Sequence, residues 1–177
     1  TDAFGGGEER LEVRRPRVGQ PSCAFYSGEP PVRADDPDLY ARIRETDLTW
    51  MDLSLSFLWW EGGKTVGRER VRGRSCYVVD VPAPAGPDSG EKGAGYSRVK
   101  MWIDAQATVL LKAEAFDREG NMVRRLLVDS FKKIDEVWFI KDIDVYSLPS
   151  RHKTTLRVDA VEVMEDSAAL PVENSDG

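Results

Sequence analysis

From Lys64 to Val163 the chain passes through strand-like runs joined by connections that are mostly too short for a crossover. "TVGRERVRG" and "RSCYVVDVP" pair about Gly73. "SRVKMWID" and "VLLKAEAFD" follow, and "DREGN" at 117–121 reads as a hairpin turn in which Gly120 takes a positive φ at little cost. "MVRRLLVDSFKKID", "VWFIKDIDVYSL" and "HKTTLRVDAVEV" complete the set, with turns at 135–136 and 149–151. Parallel neighbours need about a dozen or more connecting residues, so this spacing predicts an antiparallel meander. The one long connection, "PAPAGPDSGEKGAG" at 82–95, is built of Pro, Gly and charge. It is expected to be the first internal segment cut by a protease.

Upstream, the spacing predicts two short helices. In "DDPDLYARIRET", Asp36 caps, Pro37 takes the first helical position, and Leu39 and Ile43 share a face up to Thr46. In "TWMDLSLSFLWWEGGK", Thr49 and Asp52 form an acidic variant of the capping box. Trp50, Leu53, Phe57 and Trp60 recur with helical spacing, which predicts a helix from 49 to about 58, ended by Gly62 and Gly63. The same run alternates at Leu53, Leu55, Phe57 and Trp59, so a buried strand competes for its second half. An apolar helix beside a curved sheet is a natural filler for the sheet's hollow. Residues 1–35 are less legible; "RLEVRR" and "SCAFYS" read as strands separated by Pro-rich loops.

The chain has 177 residues, the length of one domain, and is 41% hydrophobic and 32% charged, enough to build a core and stay solvated. The net charge of −6 argues against nucleic acid and anionic lipid surfaces as main partners. No run approaches the ~18–20 apolar residues of a membrane-spanning helix. The opening "TDAFGGGEER" is polar and Gly-rich rather than signal-like, which fits a mature or trimmed chain and leaves export open. Cys23 and Cys76 both sit in strand-like runs; they read as buried free thiols or as a disulfide in an oxidising compartment.

Several motifs now carry a resemblance. "VKMWID", "AEAFDREG", "FKKIDEVWFIKDIDV" and "HKTTL", with "TDLTWMDLS" before the helix, resemble the outer-membrane lipoprotein-sorting (LolA-like) proteins over residues 36–163. The resemblance implies a mainly β fold with two short helices: a curved, incomplete antiparallel barrel with helices against its open side. It implies a periplasmic, non-enzymatic binding protein that shelters a lipid or lipoprotein acyl chain, with other envelope proteins as further partners and no cofactor. The domain reading is an irregular N-terminal segment over 1–35, the half-barrel over 36–163 and a flexible tail over 164–177.

The residues offer little catalytic chemistry. His152 is the only histidine, and no G-x-S-x-G elbow accompanies it. Asp142 and Asp144 lie two apart on a strand among lysines, the pattern of a solvated face. No zinc, calcium or P-loop spacing occurs. The candidate site is therefore apolar: Trp50, Leu53, Phe57, Trp59, Trp60 and Trp102 either line a hollow for an acyl chain or fill the core outright. The filled alternative is an envelope interaction or sensor domain of the same fold.

Overall fold

A computed structural model of the chain describes residues 9–14, 22–28, 30–35, 38–44, 46–84, 95–134 and 137–159. The expected flexible tail at 164–177 and most of the 82–95 connection lie outside the described residues. The described residues form two antiparallel sheets. The smaller has three strands, β1 (Arg10–Arg14), β2 (Ser22–Ser27) and β3 (Val32–Asp35), in that order. The larger has seven: β4 (Lys64–Val71), β5 (Arg74–Pro82), β6 (Arg98–Asp104), β7 (Leu110–Phe116), β8 (Met122–Ile134), β9 (Val137–Ser147) and β10 (His152–Arg157). Each pairs only with its neighbours in sequence, so the meander is open, with β4 and β10 as its edges.

The turns explain the register. At the β4–β5 connection Arg72 and Gly73 both take positive φ, 50° and 81°, the requirement of the two-residue hairpin whose twist matches its strands. At the β7–β8 turn Gly120 adopts a φ of 83°, and the Asp117 side chain accepts the Asn121 amide at 2.7 Å. Along the strands, alternation sends Val81, Val99, Met101, Ala113, Ala115, Leu126, Val128, Ile143 and Val145 to one buried face. The opposite face carries a smaller cluster of Cys76, Val78, Trp102 and Leu111. The sheet is curled: Arg72, at the β4–β5 tip, donates to the Val128 carbonyl at 3.1 Å and pairs with Asp129, both on β8, three strands away in the sheet order.

The expected helix over 36–46 is not formed in the described residues. Residues 38–44 make turns, with the Tyr40 amide on the Asp38 side chain at 2.9 Å and Arg44 in the left-handed region. Their backbone pairs with the segment that follows: Ile43 N–H donates to Leu48 O at 2.8 Å, and Met51 N–H to Leu39 O at 2.7 Å. A helix with two apolar residues on its face has little to bury, and this pairing satisfies the same backbone groups.

The second helix forms and stops early. It is α1 (Trp50–Ser54), capped by Thr49 with the reciprocal Thr49–Asp52 capping box. Leu55 then takes a φ of 51°, and residues Ser56–Trp59 continue as a 3-10 turn. The four aromatic and leucine positions therefore do not share one helical face. A left-handed leucine costs about 1–2 kcal/mol. The break turns Phe57 inward to 1% exposure, and burying a side chain of that size contributes about 1.5–3 kcal/mol.

Candidate functional site

Residues 48–60 form a cover over the large apolar face of the seven-stranded sheet. Leu48, Met51 and Phe57 insert into the main core, while Leu55, Leu58 and Trp60 rest against it half-buried. The Phe57 and Trp60 rings meet edge-on, centroids 6.5 Å apart. Trp50 turns instead toward the small sheet, its ring 5.0 Å from that of Phe25 on β2. Trp59 is half-buried, and Leu53 is 47% exposed on the outside of the cover. Trp102 lies on the opposite face of the sheet, 3% exposed, with Nε1–H donating to Glu69 at 2.8 Å and the Lys112 ammonium 3.9 Å from its ring centre. The six sequence candidates thus fall in three places: Trp50 and Leu53 on α1, before the break at Leu55; Phe57, Trp59 and Trp60 after it; and Trp102 on the opposite face of the sheet.

A buried polar knot fastens the cover. The Asp52 side chain is fully buried and accepts from Thr49 N–H at 3.0 Å, the Thr49 hydroxyl at 2.9 Å and the Tyr96 hydroxyl at 2.7 Å. Arg124 on β8 completes the set, its Nε 3.2 Å from Asp52, and also donates to the Asp47 carbonyl. Burial, followed by the charge of Asp52 and the hydrogen bond to it, pushes the Tyr96 hydroxyl well above its ordinary pKa. Sequence reasoning found the capping box but not these partners. A local signal exists for one of them: Arg124 alternates with Leu126 and Val128, so a charge stands on the core-facing side of β8. Tyr96, 44 residues from Asp52, offers none.

Beside the knot opens a cavity of about 420 Å³ with a mostly polar lining that includes Arg42, Thr49, Tyr96, Arg124, Ser147 and Glu119. Next to it, Asp47 accepts from Ser150 Oγ at 2.9 Å and meets His152 Nδ1 at 2.6 Å, and these two contacts hold its carboxyl below the usual range. The order matters: a hydrolytic triad places histidine between serine and carboxylate, whereas here the carboxylate stands between the other two. Asp142 is bonded to Ser130 and Arg157, and Asp144 to Lys153 and Thr155, so both carboxylates serve the sheet. Among the described residues no group of three His, Cys, Asp or Glu side chains could hold a metal, and no helix is long and apolar enough to cross a membrane. Cys23 and Cys76 lie on the small and large sheets respectively and do not form a disulfide with each other.

An open, curled antiparallel sheet with a short helical cover defines the class: the fold is LolA-like. Three solved structures share it. An outer membrane lipoprotein-sorting domain, so described, from Vibrio parahaemolyticus superposes with a TM-score of 0.65 at 15% identity, covering 85% of this chain and 63% of that one. A DUF1329 family protein from Desulfovibrio piger gives 0.61 at 21% identity, covering 83% and 61%. A LolA superfamily protein from Nitrosomonas europaea gives 0.59 at 17% identity, covering 86% and 70%. The chain thus spans about three-fifths of the length of the first two. A family model described only as "-like: Uncharacterized protein" matches residues 32–169, and the chain belongs to that family. No curated protein sequence matches it.

Proposed function

We propose that the chain is a periplasmic, non-enzymatic binding protein of the outer-membrane lipoprotein-sorting type, sheltering a lipid or lipoprotein acyl chain between the seven-stranded sheet and the cover of residues 48–60. The observation that carries this reading is the slightness of the cover: a five-residue helix and a four-residue 3-10 turn, flanked by Leu48, Trp60 and the turns of 38–44, lie against the apolar face. Displacing so short a segment exposes a continuous apolar surface of valine, leucine, alanine and methionine side chains. Each buried methylene contributes about 0.8 kcal/mol, so a C16 chain supplies roughly 10 kcal/mol of gross transfer energy, against which the cover's own contacts must be released. Phe57, Trp59 and Trp60 line the acyl site, and Trp50 anchors the cover on the small sheet. Leu53 meets what lies outside, and the working unit is the half-barrel of 36–163.

A second reading, an envelope interaction or sensor domain with a filled core, is favoured by the 1% exposure of Phe57 and by the Asp52–Arg124 knot. Native mass spectrometry of protein exported to a Gram-negative periplasm, followed by lipid extraction, separates the two. A carrier retains a species of acyl-lipid mass that is recovered in the extract. Bare protein mass throughout supports the filled domain.

A further inference from the structure

The edge strand β4 is exposed over seven of its eight residues, from Lys64 to Arg70. Its register fixes which backbone groups are free. In a two-residue hairpin the closing pair, here Val71 and Arg74, is the hydrogen-bonded one. Alternation then makes Arg70–Ser75 and Arg68–Tyr77 non-hydrogen-bonded pairs, so the N–H and C=O of Arg68 and Arg70 point away from β5. The side chains of these two arginines share one face with Tyr77, itself 36% exposed, and Arg68 lies over the Tyr77 ring at 4.5 Å. The segment 64–74 carries five basic residues and one acid, Glu69, in a chain whose net charge is −6. Glu69 faces the other way and is held by Trp102. Arg72 and Arg74 are consumed by Asp129 and Asp104. What remains outward is a positive ladder with a free backbone edge.

We infer that β4 is a docking edge for an extended acidic peptide segment of a partner protein, which adds as an eighth strand and sets its carboxylates against Arg68 and Arg70. Strand addition of this kind draws affinity from main-chain hydrogen bonds and selectivity from alternate side chains. A second copy of this chain fits poorly, because antiparallel β4–β4 pairing brings arginines opposite arginines. Charge on an edge also discourages aggregation. A single-signed ladder does so while remaining open to a strand of opposite sign.

The probe is an acetylated, amidated hexapeptide of alternating threonine and glutamate, titrated into the isotope-labelled intact chain at low salt. The expected result is slowed amide exchange at Arg68 and Arg70 and saturable shifts along β4. Binding should weaken by about tenfold or more in the Arg68→Glu/Arg70→Glu variant and with a peptide N-methylated at alternate residues, which keeps its charge and loses its donors. The variant changes only exposed side chains, and an unchanged thermal midpoint verifies its fold. Equal binding of the N-methylated peptide, no binding of any acidic peptide, or Arg-dependent binding only to vesicles of anionic lipid each overturns the inference.

Discussion

Replacing Arg124 by methionine isolates the knot that holds the cover to the sheet. The guanidinium is 12% exposed and lies 3.2 Å from an Asp52 carboxylate with no exposure at all. Methionine keeps much of the volume and leaves that carboxylate without its cationic partner in the interior. Breaking a buried pair by removing one partner costs about 3–5 kcal/mol. Here the lower end applies, because Thr49 and Tyr96 continue to donate to Asp52. A loss of about 3 kcal/mol in a domain of this size lowers the thermal midpoint by roughly 6–12 °C. The assay is urea unfolding at pH 7 of the parent, Arg124→Met, Asp52→Asn and the double variant. The double variant should be more stable than the sum of the two single losses predicts, since a neutral amide in place of the Asp52 carboxylate no longer lacks a counter-charge. A loss below about 1 kcal/mol for Arg124→Met, the scale of a surface ion pair, would refute the assignment of the knot as the cover's fastening.

Other expectations follow from the same structure. Phe57→Ala should cost about 3–5 kcal/mol in urea unfolding, whereas Leu53→Ala, on the outside of the cover, should stay within about 0.5 kcal/mol. Asp104 accepts from Arg74 at 2.6 Å and from the Ala107 and Gln106 amides, and these bonds hold its carboxyl far below its ordinary value of 3.8. A depressed folded-state pKa stabilises fully above the unfolded value, and that stabilisation is lost as pH falls from about 4. The stability gap between parent and Asp104→Asn, measured by urea midpoints from pH 7 downward, should therefore narrow below about pH 4; a constant gap contradicts the linkage. Burial pushes the Cys76 thiol up, so maleimide should modify native protein at Cys76 only on unfolding, as peptide mapping after timed labelling would read.

Much of the fold was legible because strands that bury one face alternate, and because their turns need particular residues. Gly73 and Gly120 marked two hairpins, and the Thr49–Asp52 box marked the start of α1. The helix expected around Leu39 and Ile43 did not form because the backbone there pairs with residues 48–51, a tertiary choice that local capping signals do not encode. Helical spacing from Trp50 to Trp60 overstated a continuous face: the left-handed turn at Leu55 lets Phe57 point into the core while Trp50 packs on Phe25. Trp102 shares only its residue type with the cover aromatics, and its strand parity places it with Cys76 and Val78 instead. The knot was half-visible, since Asp52 and Arg124 occupy inward positions but their meeting depends on the strands of sheet that separate them in the chain.

The proposed function requires that the apolar face beneath residues 48–60 admit an acyl chain. Titration of the intact chain with a fluorescent long-chain fatty acid tests it most directly, with emission from the bound probe and quenching of the tryptophans beside Phe57 read together. Saturable binding that quenches Trp59 and Trp60 and weakens in Phe57→Ala and Trp60→Ala is the predicted result. No saturable binding by the parent, with Phe57→Ala showing the full stability loss of an emptied aromatic site, would contradict it and leave a filled interaction domain of the same fold.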